Sequence, residues 1–125
     1  MLGINELGTG TPETFLASYT AAVDKIRQLQ PEAVLFVQSI MRVAGEKSST
    51  DPLYNNPNID VRNELLKGLA DDRNIFYIDV NEAVCDENGD LHSEWTFDQI
   101  HLKAKYYEVW KEVLKEHGIR KNDLL

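Results

Sequence analysis

The chain reads as an α/β domain with a mostly parallel sheet, and three observations predict that class. Short apolar runs rich in β-branched residues alternate with amphipathic segments of helical period, the pattern of strands joined by helical crossovers. No repeat or low-complexity segment interrupts the alternation. The length, 125 residues with 42% hydrophobic content, suits one modest core, so a single domain over 1–125 is expected.

The elements follow in order. "MLGI" at the start is an apolar run closed by Gly3 and Asn5, and it reads as a first strand. "GTGTP" then leads into a helix with Pro12 in its first turn; Phe15, Tyr19, Ala22, Val23, Ile26 and Leu29 share one face, and Pro31 ends it. "AVLFVQSI", residues 33–40, is too short and too β-branched for a free-standing helix and reads as a strand buried on both faces. The polar residues 42–58, rich in turn formers, read as a loop that is either disordered or part of a site. Val61, Leu65, Leu66 and Leu69 give a second helix with Asn58 or Asp60 as its cap. "NIFYIDV", residues 74–80, is the next strand, and Asn88-Gly89 marks a tight turn. A last helix runs over about residues 103–117, with Tyr106, Tyr107, Trp110, Val113 and Leu114 inward and Gly118 as its stop.

Charge and composition exclude several function classes. Thirteen basic against twenty-one acidic residues leave a net charge of −8, with no Lys/Arg cluster dense enough to track a phosphate backbone, so nucleic acid is not an expected partner. No apolar run reaches the roughly 18 residues of a membrane span. A soluble protein is expected, cytoplasmic or secreted with its signal absent from this sequence. The single Cys85 has no partner for an internal disulfide and no ligands at metal spacing. Asp86, Asn88 and Asp90 could suggest calcium, but the glycine falls at the fourth place rather than the sixth and no glutamate closes the loop. Neither metal nor cofactor is expected, and "GTG" at residues 8–10 is a poor phosphate loop.

Polar residues gather where each expected strand ends: Asn5 after the first, the 42–58 segment after the second, Asp98 and His101 beyond the third. In open α/β sheets the ligand crevice lies at those carboxyl ends. A histidine can act as general base when its other ring nitrogen donates to a carboxylate, and an aspartate three residues upstream in a turn can make that contact. Spacing alone favours an aspartate that caps the helix or faces water, and Asn5 alone favours a turn residue.

Taken together, "GIN" closing an early strand, an alternating α/β middle, and "DQIHL" running into an aromatic-bearing helix resemble the SGNH hydrolases, the GDSL-type esterase and lipase superfamily, and within it the platelet-activating-factor acetylhydrolase group. The resemblance implies a three-layer flavodoxin-like fold and an ester hydrolase, with Asp98 and His101 as triad acid and base and Asn5 as an oxyanion-hole donor. The substrate it implies is a small acyl ester or an acylated sugar. The family's GDS-type serine block and its oxyanion glycine have no counterpart in the sequence. Ser39 sits at a strand end without a nucleophile elbow, Ser18 on a helix, and Ser48, Ser49 and Ser93 in polar stretches, so no nucleophile is assigned. The chain is therefore read as the C-terminal part of such a domain, N-terminally incomplete, with "MLGI" an open strand edge that favours self-association. Two alternatives stand beside it: another chain supplies the serine half, or the fold serves as a non-catalytic binding or scaffold module. Tyr54 and Trp95 are candidate stacking groups near the substrate.

Overall fold

The computed structural model describes residues 3–118. Its order is a 3-10 turn at Ile4–Gly8, α1 (Pro12–Leu29), β1 (Leu35–Gln38), α2 (Gly45–Thr50), α3 (Asn56–Lys67), β2 (Ile75–Ile78), α4 (Asn81–Val84), 3-10 turns at Ser93–Trp95 and Ala104–Tyr106, and α5 (Tyr107–Gly118). Strands β1 and β2 pair in parallel, Leu35 opposite Ile75 and Gln38 opposite Ile78.

Alternation along the strands divides the interior in two. Val37, Ile75 and Tyr77 face the side covered by α1 and α3, where Ile4, Leu7, Ile40, Val43, Ile59 and Leu66 complete the packing. Phe36 and Ile78 face the other side, against Val80, Val84, Leu91 and Val113 under α4 and α5. Phe36 and Phe76 stack on adjacent strands, ring centroids 5.7 Å apart. Helices thus cover both faces of a parallel sheet, the three-layer arrangement. Ile40, Ile59 and Leu66 are wholly removed from water, each contributing roughly 1.5–3 kcal/mol by burial.

Helix α1 starts as expected, with Pro12 at its first position and Thr11 as cap: the Thr11 hydroxyl accepts the Thr14 N–H at 3.2 Å and the Thr14 hydroxyl accepts the Thr11 N–H at 2.8 Å. Its apolar face is only partly covered. Val23 is buried, whereas Ile26 and Leu29 are exposed.

Several expectations need correction. Of "MLGI", Met1 and Leu2 lie outside the described residues, while Gly3 is a bend and Ile4 opens a 3-10 turn rather than lying in a strand. Gly3 has φ +122°, and a Cβ there would meet Ile40 at 2.7 Å, so this close crossing accepts only glycine. Among the described residues the sheet has two strands, so β1 and β2 each present an open edge. Both strands are four residues long because the chain beyond each turns to side-chain partners, as shown below. The 42–58 segment is not structureless: it holds α2 and the first turn of α3. Helix α3 begins earlier than expected because Asn55, not Asn58 or Asp60, is its cap, accepting the Asn58 N–H at 2.9 Å, with Pro57 in the first turn. Val61 and Tyr107 point outward, since the cores lie against Ile59, Leu66 and Val113 instead. The Asn88-Gly89 turn forms, closed by the Asp86 side chain accepting from Asn88 and Asp90 N–H groups. Gly89 has φ +82° and yields its carbonyl to the Arg42 guanidinium, which also pairs with Asp60.

The link from β1 into the rest of the fold is residues 40–44. Ile40, Met41, Val43 and Ala44 are all buried, yet no strand pairs with them. Three asparagine side chains satisfy their backbone instead. Asn63 accepts the Ile40 N–H at 2.8 Å and donates to the Ile40 carbonyl at 3.0 Å. Asn56 does the same for Val43, at 2.8 and 3.1 Å, and also donates to Asp90. Asn81 accepts the Arg42 N–H at 2.8 Å and donates to the Ile40 carbonyl at 2.9 Å. Each amide imitates a neighbouring strand, because it presents a donor and an acceptor side by side.

No helix among the described residues is long and apolar enough to cross a membrane. Replacing Asn56 with alanine leaves the buried Val43 N–H without a partner. The expected cost is about 2–3 kcal/mol in urea unfolding, and leucine at 56 should not restore it, because the orphaned group is on the backbone.

Candidate active site

Residues 96–102 form a loop closed at its base by an antiparallel bridge between Thr96 and Leu102, both buried. The Lys103 N–H donates to the Trp95 carbonyl at 2.7 Å just outside that bridge. Asp98 and His101 occupy the tip.

The Asp98 carboxylate organises the tip. Its Oδ1 accepts the backbone N–H groups of Ile100 at 2.9 Å and His101 at 2.7 Å, and the Thr96 hydroxyl at 3.2 Å. Its Oδ2 lies 2.6 Å from His101 Nδ1. Partial loss of water, the largest single influence on this carboxyl, works against ionisation. The N–H and ring of His101, the N–H of Ile100 and the charge on His101 together outweigh it, holding Asp98 well below the ordinary aspartate value. An ionised carboxylate only accepts, so Nδ1 carries the proton of the neutral imidazole and Nε2 keeps its lone pair. Among the described residues nothing hydrogen-bonds Nε2. Between the two catalytic candidates, Gln99 has φ +68°, and its carbonyl accepts the Ala44 N–H at 2.9 Å.

Asn5 lies on the Ile4–Gly8 turn, exposed, with no hydrogen bond to its amide among the described residues. It and His101, 96 positions apart, line one groove of about 220 Å³ together with Met41, Ile100, Tyr107 and Trp110. The Trp110 indole is held by donation to the Gln38 side chain at 3.0 Å, and Tyr107 meets it edge-on at 5.8 Å. Sequence reasoning placed both aromatics in the core and missed their part in the groove; their position six and nine residues after His101 on an amphipathic helix was the available signal.

The remaining candidates lie elsewhere. Trp95 stacks between His92 and Tyr106, at 4.3 and 4.5 Å, and Tyr54 packs against the α1–α3 core. Ser39 is fully buried, donating to Asp79 and accepting the Val80 N–H. Ser48 accepts the Asn56 N–H, while Ser49 and Ser93 donate to Glu46 and Glu94. Among the described residues no serine lines the groove of His101. Burial pushes the Cys85 thiol up to about 12, so it is not a nucleophile near neutrality.

The model of the GDSL-like lipase/acylhydrolase family matches residues 1–109. No curated protein matches the chain. Among solved structures, a provisionally named platelet activating factor from Streptococcus pneumonia is similar over 94% of this chain, with TM-score 0.82 and 22% identity. A provisionally named acylhydrolase from Bacteroides fragilis is similar over 91%, with TM-score 0.70 and 16% identity. These likenesses concern the fold, and the chain covers 56% of the length of each. With its family model matched over most of its length, and with a three-layer α/β arrangement shared with these structures, the chain belongs to the GDSL-like lipase/acylhydrolase family.

Proposed function

We propose that this chain carries the acid–base half of an ester hydrolase site. His101 is the general base, Asp98 the carboxylate that orients it, and Asn5 an oxyanion donor. The observation that carries the reading is the 2.6 Å contact of Asp98 with His101 Nδ1 at the rim of a groove that Asn5 also lines. In this arrangement Nε2 takes the proton of an attacking hydroxyl and later returns it to the leaving alcohol. Asp98 steadies the imidazolium in between, and the Asn5 amide N–H donates to the carbonyl oxygen as it becomes an oxyanion. The attacking hydroxyl belongs to a serine outside these 125 residues, in the same polypeptide or in a partner chain. The apolar walls, Met41, Ile100 and Trp110, suit the acyl side of a small ester or an acylated sugar.

The test is hydrolysis of 4-nitrophenyl acetate by this chain joined to the segment that carries a GDS-type serine. In the joined protein His101→Ala should lower kcat by about 10³-fold or more and Asn5→Ala by about 10²-fold, with KM little changed. Activity that survives His101→Ala contradicts the assignment. A non-catalytic module, the competing reading, predicts no turnover in the joined protein at all.

Asp98 also gives a pH prediction. Its folded value lies below the ordinary 3.8, so the stability it lends is complete well above that value and is lost progressively as pH falls from there through the lower, folded one. The Asp98 carboxyl carbon should therefore show no titration shift in NMR as pH falls from neutrality through the ordinary range. A midpoint at the ordinary value would contradict the hydrogen-bond pattern described for it.

A further inference from the structure

We infer that Gln99 is a positioning residue whose backbone conformation, rather than its side chain, aims His101 at Asp98. The inference rests on the reading of Asp98 and His101 given above and extends it to a residue that touches neither substrate nor imidazole. Three observations carry it. Gln99 has φ +68°, in the left-handed region that side chains with a Cβ seldom adopt, and it shares this among the described non-glycine residues only with Asp72. Its carbonyl accepts the Ala44 N–H at 2.9 Å, which ties the turn to the buried segment held by the three asparagines. Its side-chain Oε1 is buried and has no partner among the described residues, so the amide supplies no hydrogen bond that would account for the conformation.

The geometry explains what the left-handed residue does. The N–H groups of Ile100 and His101 both converge on Asp98 Oδ1. Such convergence does not by itself need a left-handed residue, since Asp51 Oδ1 accepts the Leu53 and Tyr54 N–H groups across Pro52; what the reversal at Gln99 adds is a carbonyl turned to Ala44 while Oδ2 stays free for the ring of His101. With Gln99 in a right-handed or extended conformation, its carbonyl would turn from the Ala44 N–H, and the turn would lose the anchor that holds His101 against the carboxylate. Ala44 holds the reversal in place from outside the turn, so the orientation of the base depends on the loop after β1.

The experiment uses the chain as it is, with variants at one position, and reads the downfield proton resonance of the His101 Nδ1–H alongside thermal unfolding. Gln99→Gly and Gln99→Asn, which adopt left-handed backbone most readily, should keep the resonance in full. Gln99→Ala should weaken it, and Gln99→Val, β-branched and least tolerant of positive φ, should abolish it while the melting transition persists. If valine prevents folding, the glycine, asparagine and alanine variants decide the matter. Loss of the resonance in a folded Gln99→Gly protein, or its retention in Gln99→Val, overturns the inference, because the order would then follow the side chain. Asp98→Asn is the separate control: a resonance that survives there shows that Asp98 does not pair with His101, which defeats the functional reading itself rather than the role of Gln99.

Discussion

The fold depends on how residues 40–44 are held. A buried extended segment without a neighbouring strand carries backbone groups that cost roughly 1–3 kcal/mol each if left unpaired. Here the amides of Asn56, Asn63 and Asn81 take that place, reaching the segment from α3 and α4 on either side of the sheet. The clamp joins the two cores, since Ile40 and Val43 belong to one and Met41 to the other. A single extended run thus ties together α1 with α3 and α4 with α5.

The site inherits its geometry from that clamp. Met41 lines the groove, and Ala44 fixes the turn that carries Asp98 and His101. The other wall comes from Asn5, whose turn is seated where Gly3 crosses Ile40, the first residue of the same segment. The groove is thus assembled around residues 40–44 although its polar members lie near opposite ends of the chain. The pair at its rim is half exposed, with side chains 52% and 59% accessible, so its ionic part alone stabilises little. What fixes it is the set of hydrogen bonds on one carboxylate, two of them from the backbone.

The sequence was informative where the interactions are local. Pro12, Pro31 and the apolar face around Phe15 and Val23 located α1, and the DxxH spacing put Asp98 within reach of His101, because three residues lie within one turn. Asn5 joined them through the order of motifs shared with a family. Longer-range chemistry left no trace in the pattern. The clamp spans 13 residues from Val43 to Asn56 and 39 from Arg42 to Asn81, and an asparagine in that role looks the same as one in a turn. Residues 42–58 read as loop because their turn formers, Asp51, Asn55 and Pro57, are the caps and first-turn residue of α2 and α3. Tyr107 lies outside the core because its helix packs through Val109, Trp110, Val113 and Leu114, a stripe that leaves position 107 at the groove.

The central claim is that the relay is already formed in this segment, with His101 presenting Nε2 as a base. The most direct measurement is the long-range proton–nitrogen spectrum of the His101 ring in the unaltered chain, taken about 1.5 units or more above the ordinary histidine value of about 6.5 so that the ring is neutral. The account predicts that Nδ1 carries the proton and Nε2 shows the shift of an unprotonated nitrogen. A ring protonated at Nε2 would contradict it, because its lone pair would then face Asp98 and no base would be presented to the groove.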